Sequence, residues 1–276
     1  MTPQFAVSTW SVHHELGTTF AQSPDESSGR MEPTFGSGRR SLVDLPAELA
    51  RRGYHRAEIC HFHLANRDPD GLATIRAAFA KAGVVIQTLL IDDGDLTHPQ
   101  SRERDLAWIA SWVEAAAALG AENARVIAGK GKPTAANLTA SIDGLRVLAQ
   151  LGKAQGVRIV TENWFDLLAT PAQVHQILDA VGPDLGFLAD TGNWSGASKY
   201  DDLTSIFARA ELCHSKASFG PGQVLDAADY GRCLDAAIAA DYSGPHTLIF
   251  ADDGDEWAGL EMERAFVRAR YAAASG

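Results

Sequence analysis

Residues 152–162 read GKAQGVRIVTE, and the change of character inside this stretch decides how the chain folds. Up to Gly156 the spacing is that of a helix. From Val157 to Val160 it becomes a β-branched run, and the run closes on a carboxylate, Glu162. A glycine between the two suits the left-handed residue that ends a helix, a conformation only glycine adopts without steric cost. The same phrase recurs in LARRGYHRAEIC (49–60), FAKAGVVIQTLL (79–90), AAALGAENARVI (116–127) and LDAVGPDLGFLAD (178–190). Gly53, Gly83, Gly120, Gly156 and Gly182 therefore mark helix ends. The segments before them carry one-faced apolar spacing: Leu72, Ile75 and Phe79; Leu106, Ile109, Val113 and Ala116; Leu138, Ile142 and Leu145.

Working outward, strands are expected near 5–10, 57–60, 84–91, 124–128, 157–162, 185–190, 212–216 and 246–251, each but the first preceded by a helix. Strands alternating with helices imply parallel pairing, and about eight such units predict a single α/β domain over 1–276, a closed (β/α)₈ TIM barrel. A doubly wound nucleotide-binding sheet is the alternative. GKGKP at 129–133 weakens it, because both GxGxxG and GxxxxGK[ST] are missing. Residues 15–41, ELGTTFAQSPDESSGRMEPTFGSGRRS, break the rhythm and predict a long loop after strand one, where a barrel carries its site and a lid would lie.

A formal charge of -11 argues against a phosphate-neutralising groove, so nucleic acid and anionic membrane are not expected partners. Cys60, Cys213 and Cys233 show no CxxC spacing, which argues against a disulfide framework or zinc knot. MTPQFAVSTW lacks the pattern of a signal peptide, and no run of eighteen apolar residues occurs. A cytoplasmic protein acting on a small molecule is the expectation, with homo-oligomerisation left open.

In such a barrel the chemistry gathers at the carboxyl ends of the strands. Strand five ends in Glu162, strand six (LGFLADTGNW) in Asp190 and Asn193, and strand seven (ELCHSKAS) in His214 and Lys216. A lone acid there reads as a helix cap and a lone histidine as a core residue. Three ligand types at the same end of three successive strands converge in space, and two carboxylates with one imidazole suit Mn²⁺ first, then Mg²⁺, Co²⁺ or Fe²⁺. Lys216, two residues after His214, faces the same side of an extended strand and can act as donor, electrophile or base. CHFHL places His61 and His63 at the end of strand two, His63 as a candidate acid/base and His61 as a substrate contact. Trp10, Asn163, Asn193 and Lys216 complete the expected substrate contacts. Arg125 either faces the barrel or makes a surface ion pair.

VTEN (160–163), LADTGN (188–193) and HSKA (214–217) resemble the xylose isomerase-like barrels of the sugar phosphate isomerase/epimerase superfamily. The resemblance spans nearly the whole chain. It implies one divalent metal held by Glu, Asp, His and Glu from strands five to eight, with Glu162, Asp190 and His214 as the first three. The chain departs at the fourth: in GPHTLIFADDGDEW (244–257) the glutamate position falls at Ile249 or a neighbour, leaving Asp252 or Asp253 as substitutes. A second acidic turn, Asp92, Asp93 and Asp95, follows strand three.

In ketose epimerases of that family two glutamates exchange a proton across the substrate, and here one is assured, Glu162. The leading expectation is a metal-dependent isomerase or epimerase of carbohydrate metabolism, abstracting the α-proton of a sugar or polyhydroxy-ketone. The missing glutamate keeps a lyase or dehydratase on a keto-sugar, keto-inositol or oxidised glycoside as an alternative. A third reading is a catalytically inactive barrel serving as a binding subunit.

Overall fold

Helices end where the sequence puts its glycines. In the computed structural model, which describes residues 3–274, Gly53, Gly83, Gly120, Gly156 and Gly182 all have φ between 67° and 87°. Gly182 differs in ψ, -161°, because the chain turns there into Pro183 rather than winding one residue further. Eight strands result: β1 (Phe5–Ser8), β2 (Arg56–Cys60), β3 (Val85–Ile91), β4 (Asn123–Val126), β5 (Arg158–Glu162), β6 (Leu185–Asp190), β7 (Leu212–Lys216) and β8 (His246–Ile249). All pair in parallel and close into a barrel, β1 lying between β8 (Val7↔Leu248) and β2 (Val7↔Ala57). Closure rules out the open doubly wound sheet. β1 stops at Ser8 rather than residue 10, since the Ser8 hydroxyl accepts the Trp10 amide at 3.2 Å and starts a 3-10 turn, Thr9–Val12.

The helices Leu45–Arg51, Pro69–Ala82, Arg102–Leu119, Ala135–Gln155, Pro171–Val181, Lys199–Phe207, Ala227–Ala239 and Glu256–Ala274 ring the barrel. Their apolar faces meet the outward strand residues Ile59, Leu89, Ile91, Val126, Ile159, Phe187 and Leu248 in one core. Burying each such side chain contributes about 1.5–3 kcal/mol. Inside the barrel the period of two sets Val160, Leu188 and Leu212 together as a small apolar layer. Each lies two residues before Glu162, Asp190 or His214, so this layer is the floor on which those three stand.

Residues 15–41 are ordered despite lacking periodicity. They hold a turn (His13–Leu16) at their start and a hairpin, Thr19–Phe20 with Met31–Glu32. Long-range bonds fix them: Gln22 Nε2 donates to the Ala65 carbonyl at 2.9 Å, and Trp108 Nε1 to Ser27 Oγ at 2.9 Å. Cys60, Cys213 and Cys233 are free and buried. Among the described residues no helix is long and apolar enough to cross a membrane.

At the opposite end from the strand-end acids, His246 opens β8 fully buried, with Nε2 2.9 Å from Tyr271 Oη and Nδ1 3.4 Å from Ser215 Oγ. Burial pulls its imidazole down to about 4. The unfolded chain, titrating near 6.5, binds a proton that the native state refuses, so stability falls as pH drops through 6.5 and levels near 4. Between pH 7 and 4.5 this group alone is expected to remove about 2 kcal/mol. Urea unfolding at both pH values should show a pH dependence shallower by that amount in His246→Phe. Parallel dependences would mean that the imidazole titrates normally.

Candidate active site

The alternation that gives the floor also gives the wall. Counting in twos from the inward residues places Ser8 and Trp10, Leu90 and Asp92, Glu162 and Trp164, His214 and Lys216, and Ile249 and Ala251 around a cavity of about 250 Å³. Cys60, Phe62, Arg125, Asp190 and Asn193 complete the lining.

Glu162, Asp190 and His214 are buried and offer donor atoms that all lie within 4.8 Å of one another. His214 Nδ1 is 3.7 Å from Glu162 Oε1 and 3.5 Å from Asp190 Oδ2. Asp190 Oδ1 is occupied by the amides of Gly192 (2.6 Å) and Asn193 (2.9 Å), which leaves Oδ2 turned toward the imidazole. Asn193 Nδ2 donates to Glu162 Oε1 at 2.7 Å. Glu162 Oε2 lies 3.1 Å from Arg125 Nε but out of hydrogen-bond alignment, so this buried oxygen keeps an unused lone pair. Burial alone would lower the His214 imidazole; Glu58, Glu162 and Asp190 outweigh it and hold it well above its ordinary value. A pocket that forces a proton onto a buried imidazole is one that calls for positive charge. Two carboxylates, an imidazole and an unsatisfied oxygen fit a divalent metal ion.

Glu58 escaped the sequence reading. It lies on β2, fully buried inside the barrel, and its Oε2 accepts His214 Nε2–H at 2.8 Å. A register shift between Ala57 and Glu58 against β3 brings both Gln87 Nε2 and Thr88 Oγ1 onto Glu58 Oε1, each at 2.9 Å. Burial opposes the charged carboxylate, and the adjacent His214 with these two donors holds it below the usual range. Glu58 thereby fixes the tautomer that turns Nδ1 toward the two acids. Its signal was present, a carboxylate inside the apolar run AEIC. In Glu58→Gln, with the fold intact by circular dichroism, metal affinity is expected to fall about 10- to 100-fold. Unchanged calorimetric titration with Mn²⁺ would remove Glu58 from the site.

Arg125 faces the barrel, not the surface. Its guanidinium pairs with Asp92 and Glu162 and lies 5.1 Å from the Trp164 ring. Burial opposes its charge, but these two carboxylates outweigh burial. Burial likewise opposes Asp92, which Arg125 and His61 hold at about 2. Of the acidic turn after strand three, Asp92 lines the cavity; Asp93 pairs with Lys130, and Asp95 accepts Thr97 and Lys130 amides.

Three expectations need correction. His61 and His63 do not line the cavity, because the inward face of β2 carries Glu58 and Cys60 and Phe62 keeps the same two-residue phase, which turns the two histidines away. Cys60 and Phe62 take those places. His61 Nε2 donates to the Gln22 carbonyl at 2.9 Å while its Nδ1 accepts the Asp92 amide at 3.1 Å, tying the 15–41 segment to strand three. His63 Nδ1 bonds Thr9 Oγ1 at 2.9 Å in an adjacent apolar cavity, and burial takes its imidazole to about 3. Asn163 points between strands, not inward: it accepts the Asp190 amide at 2.7 Å and donates to the Asp190 carbonyl at 3.0 Å. Asp252 accepts the Phe219 amide at 2.9 Å, and neither it nor Asp253 lines the cavity or joins the ligand cluster. At the end of β8 the cavity wall is apolar, with Ile249, whose register partner on β7 is Lys216. The lysine stem crosses Gly192 so closely that a Cβ there would sit 2.6 Å from Lys216 Cδ. Among the described residues Lys216 Nζ has no acceptor within hydrogen-bond distance. Trp10 and Asn193 line the cavity.

Residues 46–268 match the xylose isomerase-like TIM barrel family. The chain belongs to this family. No curated protein sequence matches it. Solved structures of similar fold include 3-keto-D-glucoside 4-epimerase from E. coli, 17% identical, covering 83% of this chain and 95% of that one with a TM-score of 0.66. D-allulose 3-epimerase from Methylomonas sp. is 15% identical over 98% of each chain, with a TM-score of 0.70. A xylose isomerase-like TIM barrel protein from Mycobacterium smegmatis, in complex with magnesium, is 14% identical over 98% of each chain, with a TM-score of 0.67. Likeness at these identities is one of fold; within the xylose isomerase-like barrels the chemistry has to be argued from the site.

Proposed function

We propose that the protein is a divalent-metal-dependent enzyme that moves the proton on the carbon next to the carbonyl of a sugar or polyhydroxy-ketone, by isomerisation or epimerisation. The observation that carries this reading is the meeting of Glu162, Asp190 and His214 within 4.8 Å in a lined cavity at the barrel's mouth. Two similar structures being sugar epimerases supports a carbohydrate substrate. Glu162, Asp190 and His214 would hold the ion, Mn²⁺ first and Mg²⁺, Co²⁺ or Fe²⁺ as substitutes. When bound, such an ion polarises the carbonyl and makes the adjacent C–H more acidic.

The chain's own residues supply the rest. The Glu162 carboxylate takes the α-proton, oriented by Asn193 and by the fixed charge of Arg125. Lys216, whose Nζ has no hydrogen-bond acceptor among the described residues and whose charge acts on Asp190, returns a proton. Trp10, Phe62 and Trp164 give apolar walls for the C–H faces of a sugar, and Phe35 of the 15–41 segment packs edge-on to Trp10 at 6.0 Å. Ile249 beside Lys216 favours a second reading, elimination: Glu162 removes the α-proton and Lys216 protonates the departing β-hydroxyl, releasing water and leaving an unsaturated ketone.

The test is solvent exchange. Protein loaded with Mn²⁺ or Mg²⁺ and incubated with a panel of keto-sugars in D₂O is expected to incorporate deuterium at the α-carbon, and chelator treatment to remove both bound metal by elemental analysis and exchange. A metal-loaded protein that exchanges none of the panel overturns the assignment.

A further inference from the structure

Just outside the cavity the backbone is bent into a conformation its residue resists. Phe165 has φ 58° and ψ 177°, a region that costs non-glycine residues about 1–3 kcal/mol. The geometry is forced from both sides. Before it, Trp164 donates its amide to the Glu162 carbonyl at 2.8 Å; after it, Leu167 and Leu168 are fully buried, and Trp194 Nε1 holds the Leu168 carbonyl at 3.0 Å. Glycine would make this turn without strain. The chain keeps a phenylalanine whose ring is 37% exposed, so the ring has to be explained by something other than core packing.

What the strained backbone achieves is a stack. The Phe165 ring lies on the Trp164 ring at 4.4 Å with an interplanar angle of 28°, and Trp164 in turn lines the cavity above Arg125. The aromatic surface therefore runs continuously from the cavity to solvent. Beside the outer ring sit Lys130, its Nζ 5.8 Å from the ring centroid, and Asp93, paired with that Nζ at 2.6 Å and about one-third exposed. The cavity itself, at about 250 Å³, falls below the ~300–1,000 Å³ typical of sites for larger ligands and accepts one sugar ring.

We propose that the Trp164–Phe165 shelf, with Lys130 and Asp93 at its side, is a second subsite, and that the substrate is a glycoside whose second ring stacks on Phe165 while the first enters the cavity. The inference rests on the carbohydrate reading of the cavity and extends it outward. A flat ring face meets the phenyl, and the ion pair offers a donor and an acceptor to hydroxyls at its rim. An aryl aglycone and a second sugar share this chemistry, so the experiment includes both.

Isothermal titration of metal-loaded protein with D-glucose, phenyl β-D-glucoside, cellobiose and maltose tests it. At least one two-ring probe is expected to bind about ten-fold tighter than D-glucose, the scale of one aromatic stack. In Phe165→Gly that advantage disappears, the melting temperature holds or rises because strain is relieved, and D-glucose affinity moves by no more than about two-fold. Phe165→Leu, which keeps the Cβ but not the flat face, loses the advantage too; Phe165→Trp retains it. Equal binding of all probes by the wild type, no binding of any, or an advantage surviving in both Phe165→Gly and Phe165→Leu overturns the subsite. A two-ring advantage without deuterium exchange sinks the proposed reaction and leaves the subsite standing; exchange on single-ring substrates without that advantage does the reverse.

Discussion

Glu162→Gln is expected to lower α-proton exchange by about 10³-fold or more, the size of effect that follows from removing a general base that also holds the ion. The substitution keeps the volume of the side chain, and the amide oxygen can still accept Asn193 Nδ2, which donates to Glu162 Oε1 at 2.7 Å. What it removes is the negative charge that faces Arg125 at 3.1 Å and the basic oxygen that takes the proton. Arg125 remains paired with Asp92, so the buried guanidinium is not stranded and the barrel should fold. Deuterium incorporation by NMR and metal content by elemental analysis give two independent readouts. Loss of exchange with a weakened metal site is the expected pair; a rate within about ten-fold of wild type would show that another group is the base.

Why the three central residues could be read in advance, while their supports could not, follows from the range of the interactions. Helix ends, β-branched runs and two-residue alternation are local, so the barrel and the convergence of Glu162, Asp190 and His214 were legible from 152–162 and its repeats. Glu58 supports His214 across 156 residues of sequence, and no local pattern announces a partner at that distance. His61 and His63 stand one residue out of phase with the inward Glu58, Cys60 and Phe62, and only the burial of Glu58 against His214 reveals which phase of strand two faces the barrel. Asn163 was within reach, since a residue between the inward Glu162 and Trp164 must point the other way. Residues 15–41 gave no periodic signal because side-chain bonds to Ala65, His61 and Trp108, not a repeating apolar face, order them.

Lys216→Met should separate two steps that Glu162→Gln abolishes together. Methionine has a similar unbranched stem, so it can cross Gly192 as the lysine does, but it carries no proton to give. If Glu162 removes the α-proton and Lys216 delivers one, the variant still opens the C–H bond and returns deuterium from solvent at the Glu162 oxygen, while net product falls by about 10²- to 10⁴-fold. Metal content should be unchanged, because Lys216 lies outside the three-residue ligand set. Following one NMR sample for both deuterium uptake and product gives the ratio directly. Equal losses of exchange and product would make Lys216 a substrate-binding cation instead, and no loss of either would place its proton outside the reaction. The same ratio tells the outcomes apart chemically: a dehydrated ketone in the wild-type sample assigns the lysine proton to a departing hydroxyl, and an epimer or isomer assigns it to carbon or to the carbonyl oxygen. Ile249, an apolar register partner of Lys216 on the cavity wall, is what makes this asymmetry of base and acid the feature to measure.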